Sequence, residues 1–142
     1  MRGRLRRLLL DQQVERVGRL PLDQRVVGEH AEGMETSYLP DLADELLGIA
    51  RKATSGRAAR STRSGRALSL RQTVLALTEG HGIEEHETNG EETLQVLVGR
   101  VRLRSGSEAV ELGVGEVVDV PDARHAVDAL TDAAVLLTVA VR

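Results

Sequence analysis

From Arg57 to the end of the chain, apolar residues recur with a period of two. Leu68, Leu70, Thr73 and Leu75, with Val74 and Leu77, predict a long strand in SLRQTVLALT. Between Thr93 and Arg104 the alternation is clearer, because Arg100, Arg102 and Arg104 alternate with Val101 and Leu103. One face of that strand is therefore wet and the other buried. Gly99 interrupts the run and predicts a turn or bulge. Ser105-Gly106-Ser107 reads as a hairpin, followed by short strands over 109–112, 116–120 and 126–129. A final strand runs through Val135, Leu137, Val139 and Val141. Many short strands separated by glycine turns predict an all-β sandwich or barrel, and the lack of an internal repeat predicts one barrel rather than two.

Ahead of this region the period changes to 3–4 residues. PDLADELLGIARKA, residues 40–53, predicts a helix with Pro40 in its first turn and Asp41, Asp44 and Glu45 near its positive end. Leu42, Leu46, Ile49, Ala50 and Ala53 form its expected apolar stripe, and Thr54, Ser55 and Gly56 stop it. The stripe should pack on a sheet face or at a subunit interface. Residues 1–36 are different again. Seven arginines (2, 4, 6, 7, 16, 19 and 25) make that segment basic, and Gly28 and Gly33 break any regularity. It reads as a disordered extension. Alternatives are a basic arm that touches nucleic acid or lipid, and a leader that precedes a natural start at Met34. The expected organisation is an extension over 1–36, a helix over 37–55 and a barrel over 56–142.

The 142 residues suit one domain, and a net charge of −3 argues neither for nor against nucleic acid. Outside residues 1–36 nothing suggests a nucleic-acid partner. With no cysteine, disulfides, thiolate metal sites and a Cys nucleophile are excluded, which fits a cytoplasmic setting. No apolar run approaches the roughly 20 residues that span a bilayer. The three leucines of MRGRLRRLLLD fall short of a secretory signal. Tyr38 is the sole aromatic, because Phe and Trp are absent. The core must then be aliphatic, and a pocket that stacks sugars or bases on aromatic rings is excluded. Arg57, Arg60, Arg63 and Arg66 form a ladder that reads as a wet strand face. GVGE (113–116) and SGRAAR (55–60) lack the lysine of a phosphate loop, and no Ser-His-Asp set emerges from the spacing.

The candidate chemistry lies in GHGIEEHETNGEETLQVLVG. Gly80, His86, Glu92 and Gly99 stand at G-x5-H-x-T-x3-E-x6-G, which places an imidazole and a carboxylate on neighbouring strands. Gly115, Pro121 and His125 form a second element, G-x5-P-x3-H. Over residues 67–142 this order resembles the paired motifs of the cupin superfamily, in particular small single-domain, RmlC-like bacterial cupins. The first family motif carries a second histidine where this chain has Thr88. The second carries a glycine where Ala123 stands and an asparagine where Ala129 stands, and here the stretch before His125 is one residue shorter. The resemblance implies a cupin-type double-stranded β-helix, a jelly-roll barrel, with His86, Glu92 and His125 converging at its mouth.

Two histidines and one carboxylate suit divalent Fe, and equally Zn, Ni or Mn, with water in an open position. Alternatively no metal binds, and His86 and His125 donate hydrogen bonds to an organic ligand. Each residue also has a plainer reading. His86 lies in an acidic run and reads equally as a surface residue, His125 as a cap on the barrel rim, and Glu91 competes with Glu92 for the inward face, since a one-residue slip flips every side chain. His81 and His30 read as exposed. The leading expectation is a cupin that binds a small molecule, with or without a divalent metal, in a sensing or accessory role. The alternative is a metal-dependent oxygenase or isomerase using His86, Glu92 and His125. A third is a regulator whose basic arm is residues 1–36. A homodimer is expected from the helix stripe and the open sheet edges.

Overall fold

The structure, a computed structural model, describes residues 34–141. The expectations for residues 1–33, the basic arm and His30 included, lie outside the described residues. A compact unit begins at Leu39. It opens with helix α1 (Leu39–Lys52) and continues through nine strands: β1 (Arg57–Arg63), β2 (Leu70–Leu77), β3 (Gly82–His86), β4 (Gly90–Val98), β5 (Val101–Ser105), β6 (Glu108–Leu112), β7 (Val117–Asp119), β8 (His125–Ala129) and β9 (Ala133–Val141).

The strands form two antiparallel sheets, β1-β2-β9-β4-β7 and β3-β8-β5-β6. Their inner faces enclose an aliphatic core. Leu75, Leu77, Leu94, Val96 and Val135 of the larger sheet meet Val101, Leu103, Leu112, Val127 and Ala129 of the smaller. Large side chains supply the core without any aromatic ring, as the composition requires. The alternation along β4 shows how the register is set. Glu92, Leu94 and Val96 face the core while Glu91 is exposed. Apolar side chains on one face fix the pleat, and Glu92 is carried inward by the same period of two.

Gly99 divides what the alternation presents as one strand. β4 belongs to the larger sheet and β5 to the smaller, so the chain changes sheet at Gly99 and Arg100. Gly99 has φ +76°, and a Cβ there would lie 2.1 Å from the Asp132 carbonyl oxygen. The positive φ and the close backbone both require glycine. Arg102 and Arg104 face outward as expected and pair across strands, Arg102 with Glu111 at 2.8 Å and Arg104 with Asp128 at 2.5 Å.

Helix α1 covers the outer face of the larger sheet. Ala43, Leu46, Leu47 and Ala50 are buried, the last three packing with Val74 and Ala76 of β2. The stripe is thus rotated from the one expected. Ile49 is 48% exposed, and Ala43 and Leu47 are buried instead. Arg51 and Lys52 occupy the last turn, where positive charge suits the helix end. Arg51 also reaches Asp132 at 3.0 Å and ties the helix to the β8–β9 turn. The arginine ladder belongs to β1, an edge strand exposed on both faces, where Arg60 pairs with Glu45 of α1 at 2.6 Å. Among the described residues no helix is long and apolar enough to cross a membrane.

Candidate functional site

Three strand ends bring His86, Glu92 and His125 together. His86 closes β3 and His125 opens β8, and the two are register partners across the smaller sheet. A bulge between Ile83 and His86 sets that pairing. Glu92 approaches from β4 in the opposite sheet. The expectation that His86 and Glu92 lie on neighbouring strands is therefore corrected. β3 and β4 are consecutive in sequence, but the turn between them crosses from one sheet to the other, and the strand beside β3 is β8. The jelly-roll crossing makes the imidazole and the carboxylate face each other rather than stand side by side.

The His86 and His125 rings lie 4.5 Å apart between centroids, tilted by 59°. His125 is buried, 1% exposed, and Glu92 is 9% exposed. Nε2 of His125 stands 3.5 Å from Oε1 of Glu92. Thr88, which replaces the family motif's second histidine, donates its hydroxyl to that same Oε1 at 2.5 Å. A hydroxyl is a poor metal ligand, and here it serves the carboxylate instead. Charge-assisted O–H···O⁻ bonds are of this length and are among the stronger hydrogen bonds in proteins.

The tautomers follow from the backbone. Nδ1 of His86 is 2.9 Å from the Glu84 carbonyl, and Nδ1 of His125 is 2.8 Å from the Ala123 carbonyl. A carbonyl oxygen only accepts, so both Nδ1 atoms carry the proton and donate. Each neutral ring then presents Nε2 as an acceptor. This corrects the expectation that the two histidines donate to an organic ligand, because their donors are already committed to main chain. Nε2 of His125 and the Glu92 carboxylate face each other acceptor to acceptor. That arrangement is stabilised by a hydrogen-bond donor or a positive charge nearby.

The same atoms test the metal expectation. Two ligands about 2.1 Å from one tetrahedral ion stand roughly 3.4 Å apart. The 3.5 Å between His125 and Glu92 matches that spacing. The set does not close, however. Among the described residues no group of three or more His, Cys, Asp or Glu side chains is placed to hold a metal ion. The geometry supplies a matched pair, whereas catalytic zinc sites use three protein ligands. His86 is held in contact with the His125 ring without completing a cage.

Two clefts border the cluster, and sequence reasoning located neither. One, of about 510 Å³, lies between β6 and β7, with Leu103, Val110 and Val118 among its walls. The other, of about 380 Å³, is lined by Glu91, Glu92, Thr93, Asp119 and Asp122 among others. Of the three candidate residues only Glu92 lines a cleft. The hairpin signal at Ser105–Ser107 and the short 116–120 strand marked the two walls of the larger cleft in the sequence. That neither wall has a strand on its far side was not visible there. His81 is exposed as expected, with Nδ1 2.9 Å from the Thr78 hydroxyl.

No family model matches the chain, and no curated protein is similar to it. Solved structures are similar. A conserved protein of unknown function, SPY1581 from Streptococcus pyogenes, superposes with a TM-score of 0.57 at 22% identity, covering 63% of this chain and 78% of that one. A cupin superfamily protein from Desulfitobacterium hafniense gives 0.56 at 15% identity, covering 61% and 78%. An RmlC-like cupin from Desulfovibrio desulfuricans gives 0.53 at 24% identity, covering 59% and 81%. At such identities the likeness establishes architecture alone. Two antiparallel sheets in jelly-roll order, one helix on the larger sheet and a His–Glu–His cluster at the strand ends make this fold that of the cupins.

Proposed function

We propose that this protein binds a small molecule at the mouth of its cupin barrel, in a sensing or accessory role. The observation that carries this reading is the fixed acceptor character of the cluster. Both Nδ1 atoms are consumed by backbone carbonyls, so two Nε2 atoms and a carboxylate remain to receive donors from a ligand. Two clefts of about 510 and 380 Å³ stand beside it, within or near the 300–1,000 Å³ usual for small-molecule sites. Thr88 and His125 orient Glu92, and Glu92 faces the smaller cleft.

The second reading is a metal-dependent oxygenase or isomerase holding Fe, Zn, Ni or Mn on His86, Glu92 and His125. The matched spacing of His125 and Glu92 favours it, and the missing third ligand opposes it. Metal content of untagged protein by inductively coupled plasma mass spectrometry separates the two, with wild type beside His86→Ala/His125→Ala. The ligand-binding reading expects far less than one metal per chain in both, even after incubation with Fe(II), Ni(II) and Zn(II), together with thermal shifts from members of a metabolite library. Near one metal per chain, lost in the double variant, would replace it with the enzyme reading. A library that leaves the wild-type melting temperature unmoved would overturn it outright.

We also propose a homodimer formed at the edge of the larger sheet. Among the described residues no strand pairs the outer edge of β1, and unpaired edges invite pairing with another copy. Sedimentation velocity showing monomer alone at micromolar concentration would refute it.

A further inference from the structure

The gap between β6 and β7 shows what the ligand is. β6 ends the smaller sheet and β7 ends the larger, so among the described residues each is paired on one side only. The larger cleft lies between them. Val110 of β6 pairs with Leu103, which is in the core, so its side chain points inward. It is nevertheless 44% exposed. Val118 of β7 pairs with Leu94 and also faces inward, packed against the core. The barrel wall is open here, and its floor is apolar.

The rim is polar and of one sign. Ser107 and Glu108 stand on the β5–β6 side, and Asp119 stands on β7. Asp119 also lines the smaller cleft, where Glu91, Glu92 and Asp122 join it. No Lys, Arg or His lines either cleft among the described residues. The arginines nearest in sequence are engaged elsewhere: Arg102 with Glu111, Arg104 with Asp128 and Arg124 with Glu85. A carboxylate or phosphate ligand would meet like charge and find no cation. The protein has no Phe or Trp to hold a cation by its ring face, so a positive head has to be met by carboxylates.

We infer that the ligand is an aliphatic amine, its hydrocarbon body on Leu103, Val110 and Val118 and its ammonium between Glu108 and Asp119. This rests on the barrel being a small-molecule site and specifies the class of molecule. An ammonium offers three donors and no acceptor, which complements rim carboxylates and serine hydroxyls. The apolar body fills the unclosed barrel wall and gains from burial.

The test uses the full chain and three probes with one hydrocarbon body: n-hexylamine, 1-hexanol and hexanoate, titrated by calorimetry at low salt and at 0.5 M NaCl. Hexylamine is expected to bind at least about tenfold tighter than hexanoate, the size of one charge-assisted hydrogen bond. Its affinity should weaken at high salt, while that of hexanol should not. Glu108→Gln/Asp119→Asn is expected to lower hexylamine affinity by about tenfold and leave hexanol within about twofold. Val110→Trp, which fills the cleft, should abolish both. Hexanoate binding as tightly as hexylamine would overturn the inference, and so would hexylamine binding that ignores the double variant. In either case hexanol binding blocked by Val110→Trp would leave the small-molecule reading standing. No binding of any probe to wild type overturns the amine inference, whereas the library measurement decides the broader reading separately. The order of the three heads on wild-type protein needs no variant to fold.

Discussion

Replacing Gly99 or Gly115 by alanine separates two reasons for a motif glycine. Both have positive φ, +76° and +90°. An alanine in that region costs about 1–2 kcal/mol in backbone strain, and the stiffer unfolded chain returns about 0.4–1. Nothing lies within 4 Å of a Cβ built on Gly115. Gly115→Ala should therefore cost about 1 kcal/mol. At Gly99 the Cβ would lie 2.1 Å from the Asp132 carbonyl oxygen, 2.6 Å from the Thr131 hydroxyl and 3.0 Å from the Ala133 Cα. Two of those are backbone atoms that no rotamer change can move. The third belongs to a hydroxyl that accepts the Arg100 amide at 3.0 Å. Displacing the β8–β9 turn adds about 1–3 kcal/mol of overpacking, and straining that hydrogen bond adds about 1 more. Gly99→Ala is thus expected to cost about 3–5 kcal/mol, a large share of the 5–15 kcal/mol typical of a domain. Urea denaturation followed by circular dichroism at 25 °C measures both, with the slope compared to confirm an unchanged unfolded state. Costs equal within about 0.5 kcal/mol would refute the argument, since φ alone would then explain both glycines.

Leu94 is fully buried in the barrel core, and Leu94→Ala is expected to cost about 2–5 kcal/mol in the same urea assay. Thr88→Val removes the donor to a carboxylate that is 9% exposed and should destabilise by about 1–3 kcal/mol, while Thr88→Ser should recover most of that loss in thermal melts. The Asp132 carboxyl is held below its ordinary value of 3.8, first by a hydrogen bond from the Glu79 amide and then by the Arg51 side chain. Its folded-state value is the lower one, so its stabilisation is complete above the ordinary value and is lost as pH falls through the folded one. Asp132→Asn should therefore flatten the acid side of a melting-temperature profile below about pH 4, and by more than Arg51→Ala does, because the amide contributes first. An unchanged acid limb in Asp132→Asn would contradict this assignment.

Much of this architecture was legible in the chain because it follows from local rules. A period of two in LRQTVLAL and AAVLLTVAV made β2 and β9, a period near 3.6 with charged ends made α1, and the glycines at 99 and 106 marked where strands end. The motif spacing named the residues that meet, and His86, Glu92 and His125 do converge from three strands. Local rules stop where the partner is far away in sequence. The Thr93–Arg104 alternation continues through Gly99 unchanged, yet its two halves lie in different sheets, because a contact with Asp132 decides the turn. Spacing alone allowed Glu91 or Glu92 to face inward. The packing of Leu94 and Val96 against the opposite sheet chose Glu92. The stripe of α1 is rotated onto Leu47 because the sheet surface of Val74 and Ala76, not the helix, sets which side is covered.

The chemistry of the cluster was furthest from reach. Nothing in HETNGEE or DARHAV states that the carbonyls of Glu84 and Ala123 will take the histidine protons. Nor does it state that Thr88 will donate to Glu92, or that a wall will stay open between β6 and β7. By itself the sequence determined the elements, the aliphatic core and the identity of the residues at the mouth, since periodicity and composition act over a few residues. Tertiary structure alone decided which atoms face one another, because hydrogen-bond direction, sheet crossing and edge exposure depend on groups brought together from across the chain.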